Sequence, residues 1–242
     1  MSRVVLPAAL ALAVTAAGAT YVKNAASGAD RSPATKTWAQ GPVDPVDDPA
    51  GDPARGRAAT PLSKQLLPVP NLYKLGPDQR NHGSNDGELS GARATERLKR
   101  AGAEGMTRSE RRKSDRAVDG LEVEGIAWRT YASSQFTHVV EVDLLRLKDP
   151  EKARLMFLIQ AGVFAKLKNP EGPKVEGHER SSICFADKPE KKNDLREYFC
   201  TGYAAGTNMT VRVYGSAKLS ASDVGDFVKQ QMDRITSPEE AV

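Results

Sequence analysis

The sequence predicts an α+β domain. It is expected to hold an antiparallel sheet of about five strands with two helices packed on one face, in the order ββαβββα, preceded by a long disordered segment. Three observations carry this. Apolar residues alternate with period two in several short stretches of the second half, and recur at helical spacing in two others. The fourteen aromatic residues divide three to eleven between Met1–Gly120 and Leu121–Val242, while nine of the fifteen prolines fall between Pro33 and Pro77. One half can therefore bury a core, and the other lacks the apolar surface to offset its ordering entropy.

The elements follow in order. In Leu121–Ala132, Ile126, Trp128 and Thr130 fall on one side and Ala127, Arg129 and Tyr131 on the other, which reads as a strand. Ser133-Ser134 supplies a turn. Across Gln135–Leu147, Phe136, His138, Val140, Val142 and Leu144 share one face and Val139, Glu141, Asp143 and Leu145 the other. Asp149-Pro150 then opens a helix, the aspartate as cap and the proline at the first helical position. Its stripe is Ala153, Met156, Phe157, Ala161, Phe164 and Leu167, widened by Leu155, Leu158, Ile159 and Val163, so it is expected to lie flat on the sheet and largely covered. Asn169-Pro170 ends it. Arg180–Ala186, Leu195–Ala204 and Met209–Ser216 read as three short strands, with turn chemistry for the last hairpin at Gly206-Thr207-Asn208. Ser220, with Asp223 three residues on, starts a final helix whose stripe is Val224, Phe227, Val228, Met232 and Ile235, closed by Pro238.

Three regions are expected: residues 1–20, 21–120 and 121–242. In the first, Arg3 precedes an uncharged run, Val4–Thr20, that ends in Ala17-Gly18-Ala19. This is the pattern of a signal peptide or a short membrane anchor. As a helix, residues 4–22 measure about 28 Å, enough to reach across a bilayer core. Either reading leaves the rest of the chain outside the cytoplasm. Residues 21–120 read as a disordered linker rich in proline, glycine and charge, exemplified by Gly41–Arg57. Leu62–Leu75 is a local apolar exception, read as a docking segment or as a turn within the linker. Arg93–Arg116 holds nine basic and four acidic residues and no aromatic one. It reads as a solvated charged stretch, or as an adhesive for anionic polymers or membranes. Met1–Gly120 is net +5 and Leu121–Val242 net −1. The positive charge thus lies outside the part expected to fold, which argues against a nucleic-acid partner.

The two cysteines, Cys184 and Cys200, are too few for a structural zinc site and spaced wrongly for a C-x-x-C redox pair. In an oxidising compartment they are expected to form a disulfide. Pairing them directly sets Phe185 against Phe199 and Ile183 against Thr201. No nucleophile elbow, zinc-helix, phosphate-loop or dinucleotide motif occurs, and no catalytic, cofactor-binding or metal-binding residue is assigned. Glu141 and Asp143 share a strand face and form the one candidate carboxylate pair. Asn208-Met209-Thr210 spells a glycosylation sequon. Trp128, Tyr131, Tyr198, Tyr203 and Tyr214 are the candidates for a ligand groove. The layout resembles small extracytoplasmic α+β modules on proline-rich stalks. That likeness covers only the second half and transfers no site. The functional expectation is a secreted or extracytoplasmic, non-enzymatic binding module. Its partner would be a protein, peptide or envelope component, and residues 4–22 are the possible membrane tether. The alternatives are a hydrolase of envelope polymers using acidic residues on the sheet, and a structural protein adhering through its basic linker.

Overall fold

Strands β1 (Tyr73–Leu75), β2 (Asp86–Ser90), β3 (Val123–Ser133), β4 (His138–Leu147), β5 (Ser182–Ala186), β6 (Arg196–Ala204) and β7 (Thr207–Gly215) form one antiparallel sheet. Their order is β1-β3-β4-β7-β6-β5, with β2 also pairing β3. The helices are α1 (Gly91–Ala101), α2 (Arg108–Asp119), α3 (Pro150–Lys166) and α4 (Ala221–Thr236). The computed structural model describes residues 55–101, 105–166, 170–187, 195–216 and 219–237. The expected signal or anchor at residues 1–20 and the linker as far as residue 54 lie outside the described residues. The α+β class with an antiparallel sheet holds. Its strand count rises to seven because β1 and β2 come from the stretch read as linker.

Alternation gives the sheet two buried faces. The first carries Ala127 and Tyr131 of β3, Val140, Val142 and Leu144 of β4, Met209, Val211 and Val213 of β7, and Cys200 of β6. The Val224, Phe227, Val228, Met232 and Ile235 stripe of α4 covers it. So does a segment the sequence left open: Leu62, Leu66, Leu67 and Val69 are buried in the same core. Each such side chain contributes about 1.5–3 kcal/mol when fully buried. Polar side chains fix the segment in place. Gln231, on α4, donates Nε2–H to the Gln65 carbonyl at 2.7 Å and accepts from the Leu67 amide at 2.9 Å, and Arg234 donates to the Lys64 carbonyl at 2.8 Å.

The second face joins Ile126, Trp128, Leu145 and Leu147 to Ala94 of α1 and Ala153 of α3. The two helices expected on one face therefore divide, α4 on the first and α3 on the second. The reason is that the apolar ends of the second face also need cover. Nor is α3 largely covered: only Ala153 and Phe157 are buried, while Leu155, Leu158, Ile159 and Val163 stand 50–57% exposed.

Cys184 and Cys200 are direct cross-strand partners on β5 and β6 and are joined by a disulfide, with Cα atoms 4.0 Å apart. The pairing sets Ile183 opposite Thr201 and Phe185 opposite Phe199, as the sequence implied. The two phenylalanines stack on Phe164 of α3, at 5.6 and 3.8 Å between ring centres. Residues 170–172 run along the outer side of β5: Gly172 donates to the Cys184 carbonyl and Ala186 to that of Pro170. The β6–β7 turn is Ala205-Gly206, both with positive φ (46° and 77°), the two-residue hairpin conformation that suits strand twist. Thr207 and Asn208, expected in the turn, belong to β7, and Asn208 is buried, which closes the sequon. Phe136, expected on a strand face, sits in the β3–β4 turn at φ 54°, exposed, with the Lys74 ammonium 3.6 Å from its ring centre.

Candidate functional site

The middle of the second face is polar. β4 places Glu141 and Asp143 there, and β7 sets Arg212 opposite Glu141 and Thr210 opposite Asp143. From β3, Trp128 lies opposite Asp143 and Thr130 opposite Glu141. α1 and α3 leave this strip uncovered between them, and residues 79–82 close a third side. The result is a cleft of about 540 Å³ whose floor is Glu141, Asp143, Thr210 and Arg212 and whose walls include His82, Arg97 and Gln160.

The third wall is held by a hydrogen bond from β3 and by two within its own loop. Thr130 donates to the Pro77 carbonyl at 2.6 Å, Asn85 donates to that of Gly76 at 3.0 Å, and the Gln79 amide donates to the Ser84 carbonyl at 3.1 Å. This anchoring delivers two side chains to Asp143. Gln79 donates Nε2–H to one carboxylate oxygen at 2.8 Å, and His82 Nε2 lies 2.7 Å from the other. The His82 ring stacks on Trp128 at 4.1 Å and 9°. The indole nitrogen of Trp128 in turn donates to the carbonyl and hydroxyl of Ser84, both at 3.2 Å. Gly87 makes room beneath: a β-carbon there would lie 2.4 Å from the Trp128 ring. Gly87→Ala is expected to push the indole off His82 and lower stability by about 1–3 kcal/mol. A thermal melt with near-ultraviolet circular dichroism checks this, and an unchanged tryptophan signal would refute it.

Glu141 is partly buried beside Asp143. Burial, then the negative charge of Asp143, raise its pKa, while Arg212 and hydrogen bonds from Gln79 and Tyr214 act against the rise. The Tyr214 hydroxyl lies 3.4 Å from the carboxylate. Two polar atoms of the wall, Gln79 Oε1 and His82 Nδ1, are buried without a hydrogen-bond partner.

The expected groove residues do not converge. Tyr131 and Tyr198 are buried in the first-face core, where the Tyr131 hydroxyl donates to the Leu67 carbonyl at 2.6 Å. Burial holds the Tyr131 phenol well above its ordinary pKa. Tyr203 packs its ring 5.1 Å from that of Phe157. Only Trp128 and Tyr214 bear on the cleft, each by supporting a residue that lines it. Period two sends neighbours on a strand to opposite faces, so tyrosines at 131 and 198 cannot join a tryptophan at 128. The Glu141 and Asp143 pair does fall in the cleft. His82, Gln79, Arg97, Gln160 and Arg212 were not singled out. For Arg212 the signal was present, since it alternates with the apolar Met209, Val211 and Val213.

Both cysteines of the chain are in the disulfide, so no thiol nucleophile is present. Among the described residues, no group of three or more His, Cys, Asp or Glu is placed to hold a metal ion. No described helix is long and apolar enough to cross a membrane. No family model, no curated protein and no solved structure matches the chain.

Proposed function

We propose that this chain is an extracytoplasmic, non-enzymatic binding module that holds a polar ligand of the cell envelope in the cleft over β4 and β7. The observation that carries this is the state of Asp143: both of its oxygens already accept hydrogen bonds, from Gln79 and at His82. One hydrogen bond at each oxygen fixes the carboxylate's orientation and leaves further lone pairs to accept from a ligand, which suits a recognition group. Around it, Glu141 suits an amine or hydroxyl of the ligand, and Arg97 and Arg212 suit a carboxylate. A peptide or glycan carrying both kinds of group has the matching chemistry. The buried disulfide is consistent with an oxidising compartment outside the cytoplasm.

Calorimetric titration of the full chain with peptides and glycans released from cell envelopes tests the reading. One saturable site is expected, weakened at least about tenfold by Arg212→Met or Glu141→Gln, which is 1.4 kcal/mol. The neutral form of Glu141 is favoured in the fold. Its contribution to stability is therefore complete below the ordinary carboxylate range and lost as pH rises through the raised value. Affinity for an amine-bearing ligand is expected to move the opposite way, increasing with pH over that interval.

A second reading, an envelope-polymer hydrolase, draws on the same upward shift of the Glu141 pKa, the direction a general acid requires. Product formation that Glu141→Gln abolishes would establish it against the binding reading. Polyanion binding that survives both cleft variants but disappears in Arg111→Glu/Arg112→Glu would instead favour the adhesive role of the basic stretch.

A further inference from the structure

We propose that α3 and the basic helices beside it form a surface that docks on an anionic lipid bilayer. The proposal goes beyond the cleft reading and does not depend on it. Leu155, Leu158, Ile159 and Val163 point outward from α3, each at least half exposed. They recur at i, i+3, i+4 and i+8, which puts them on one stripe. No charged residue interrupts the stripe between Arg154 and Lys166. The opposite side of the helix is apolar as well, with Phe157 and Ala153 buried against the sheet. A helix apolar all round has room for two apolar neighbours, and the sheet is one of them. A contiguous aliphatic patch of this kind marks an interaction surface.

Charge selects the partner. α1, α2 and α3 together carry twelve Lys/Arg and five Asp/Glu, a net +7, whereas the whole chain is +4. α1 packs on the same sheet face as α3, and α2 packs on α1, where Lys99 and Asp119 form an ion pair. α2 buries none of its residues, so Arg111, Arg112, Lys113 and Arg116 are all exposed. A second copy of the chain would bring this positive layer against itself. Four half-exposed aliphatic side chains also fall short of the roughly 800 Å² per side that a stable interface buries. An anionic leaflet meets both conditions. The aliphatic stripe sinks to the acyl boundary, and the arginines and lysines remain among the headgroups.

The test places an environment-sensitive fluorophore on α3 through Ile159→Cys, in the full chain with its disulfide intact. Vesicles are of phosphatidylcholine, with or without phosphatidylglycerol. With phosphatidylglycerol present, the label is expected to shift to the blue and to be quenched by nitroxide-bearing lipid. A label at Gln230→Cys, on α4 across the sheet, is expected to stay unquenched. Molar salt, or Arg111→Glu/Arg112→Glu, is expected to weaken the response about tenfold or more, and Leu158→Glu to remove it. Four results would each overturn the proposal. The first is a label that ignores all vesicles, and the second a label that responds equally to neutral ones. The third is a label already shifted in the lipid-free monomer, which assigns the stripe to another segment of this chain. The fourth is a lipid-free dimer in sedimentation that Leu158→Glu dissociates, which assigns it to a second copy.

Discussion

Arg129→Ala is expected to destabilise the domain by about 3–5 kcal/mol, the usual consequence of leaving one member of a buried ion pair uncompensated. The Arg129 and Asp86 side chains are only 2% and 7% exposed, and their closest atoms are 3.1 Å apart. The guanidinium also donates to the Leu67 carbonyl at 2.9 Å and to the Arg57 carbonyl at 2.6 Å, and the Arg57 amide donates to Asp86 at 2.6 Å. One buried cation thus ties β2 and both ends of the residue 57–67 segment to β3. Gly56 permits this: its φ is +87°, and a β-carbon there would overlap the guanidinium. Urea unfolding of the full chain measures the loss. Limited proteolysis is expected to show cleavage within residues 55–69 before the sheet unfolds. Replacing both partners, Arg129→Met with Asp86→Leu, is expected to recover a large part of the stability, because no lone charge is then buried. A single variant within about 1 kcal/mol of the parent would refute the assignment.

Removing the disulfide is the second large effect. Cys184→Ala/Cys200→Ala is expected to lose about 3 kcal/mol, the chain-entropy value for a loop of this length. The loop spans sixteen residues, and both cysteines sit in the first-face core at 1% exposure or less. Truncating two buried side chains adds a packing loss. Comparing the parent chain with and without reductant isolates the cross-link from that packing. Mass spectrometry of the unreduced, alkylated protein is expected to show no added label, and two labels after reduction. Equal unfolding midpoints in the two redox states would sink the prediction.

The elements that were legible in the sequence are those with a clean period. β3, β4 and the stripe of α4 alternate or recur over ten residues or more, and pairing Cys184 directly with Cys200 was enough to set Phe185 opposite Phe199. What was missed has physical reasons. β1 is three residues long, and β2 reads Asp-Gly-Glu-Leu-Ser, too short and too polar for alternation to show. α1 and α2 bury one residue between them, Ala94, so they leave no apolar stripe. Thr107-x-x-Glu110 does spell the capping box that α2 uses, with the Thr107 amide donating to Glu110 at 2.8 Å, but the charged residues around it masked the signal. The cleft was half legible. Glu141 and Asp143 share a face by spacing alone. The residues that give Asp143 its character, Gln79 and His82, lie 64 and 61 positions away and reach it only through the fold of an irregular loop.

The pairing of residues 170–172 along β5 bears on how a partner can approach. A bare terminal strand would offer its amides and carbonyls to an incoming peptide, or to another molecule's strand, in a continuous ladder. Here the outer amides and carbonyls of β5 are partly spent on Gly172 and Pro170, and the opposite margin ends in β1 and β2, three and five residues long. Neither margin templates a long new ladder. Recognition by strand addition is thereby disfavoured, and so is end-to-end polymerisation through the same groups.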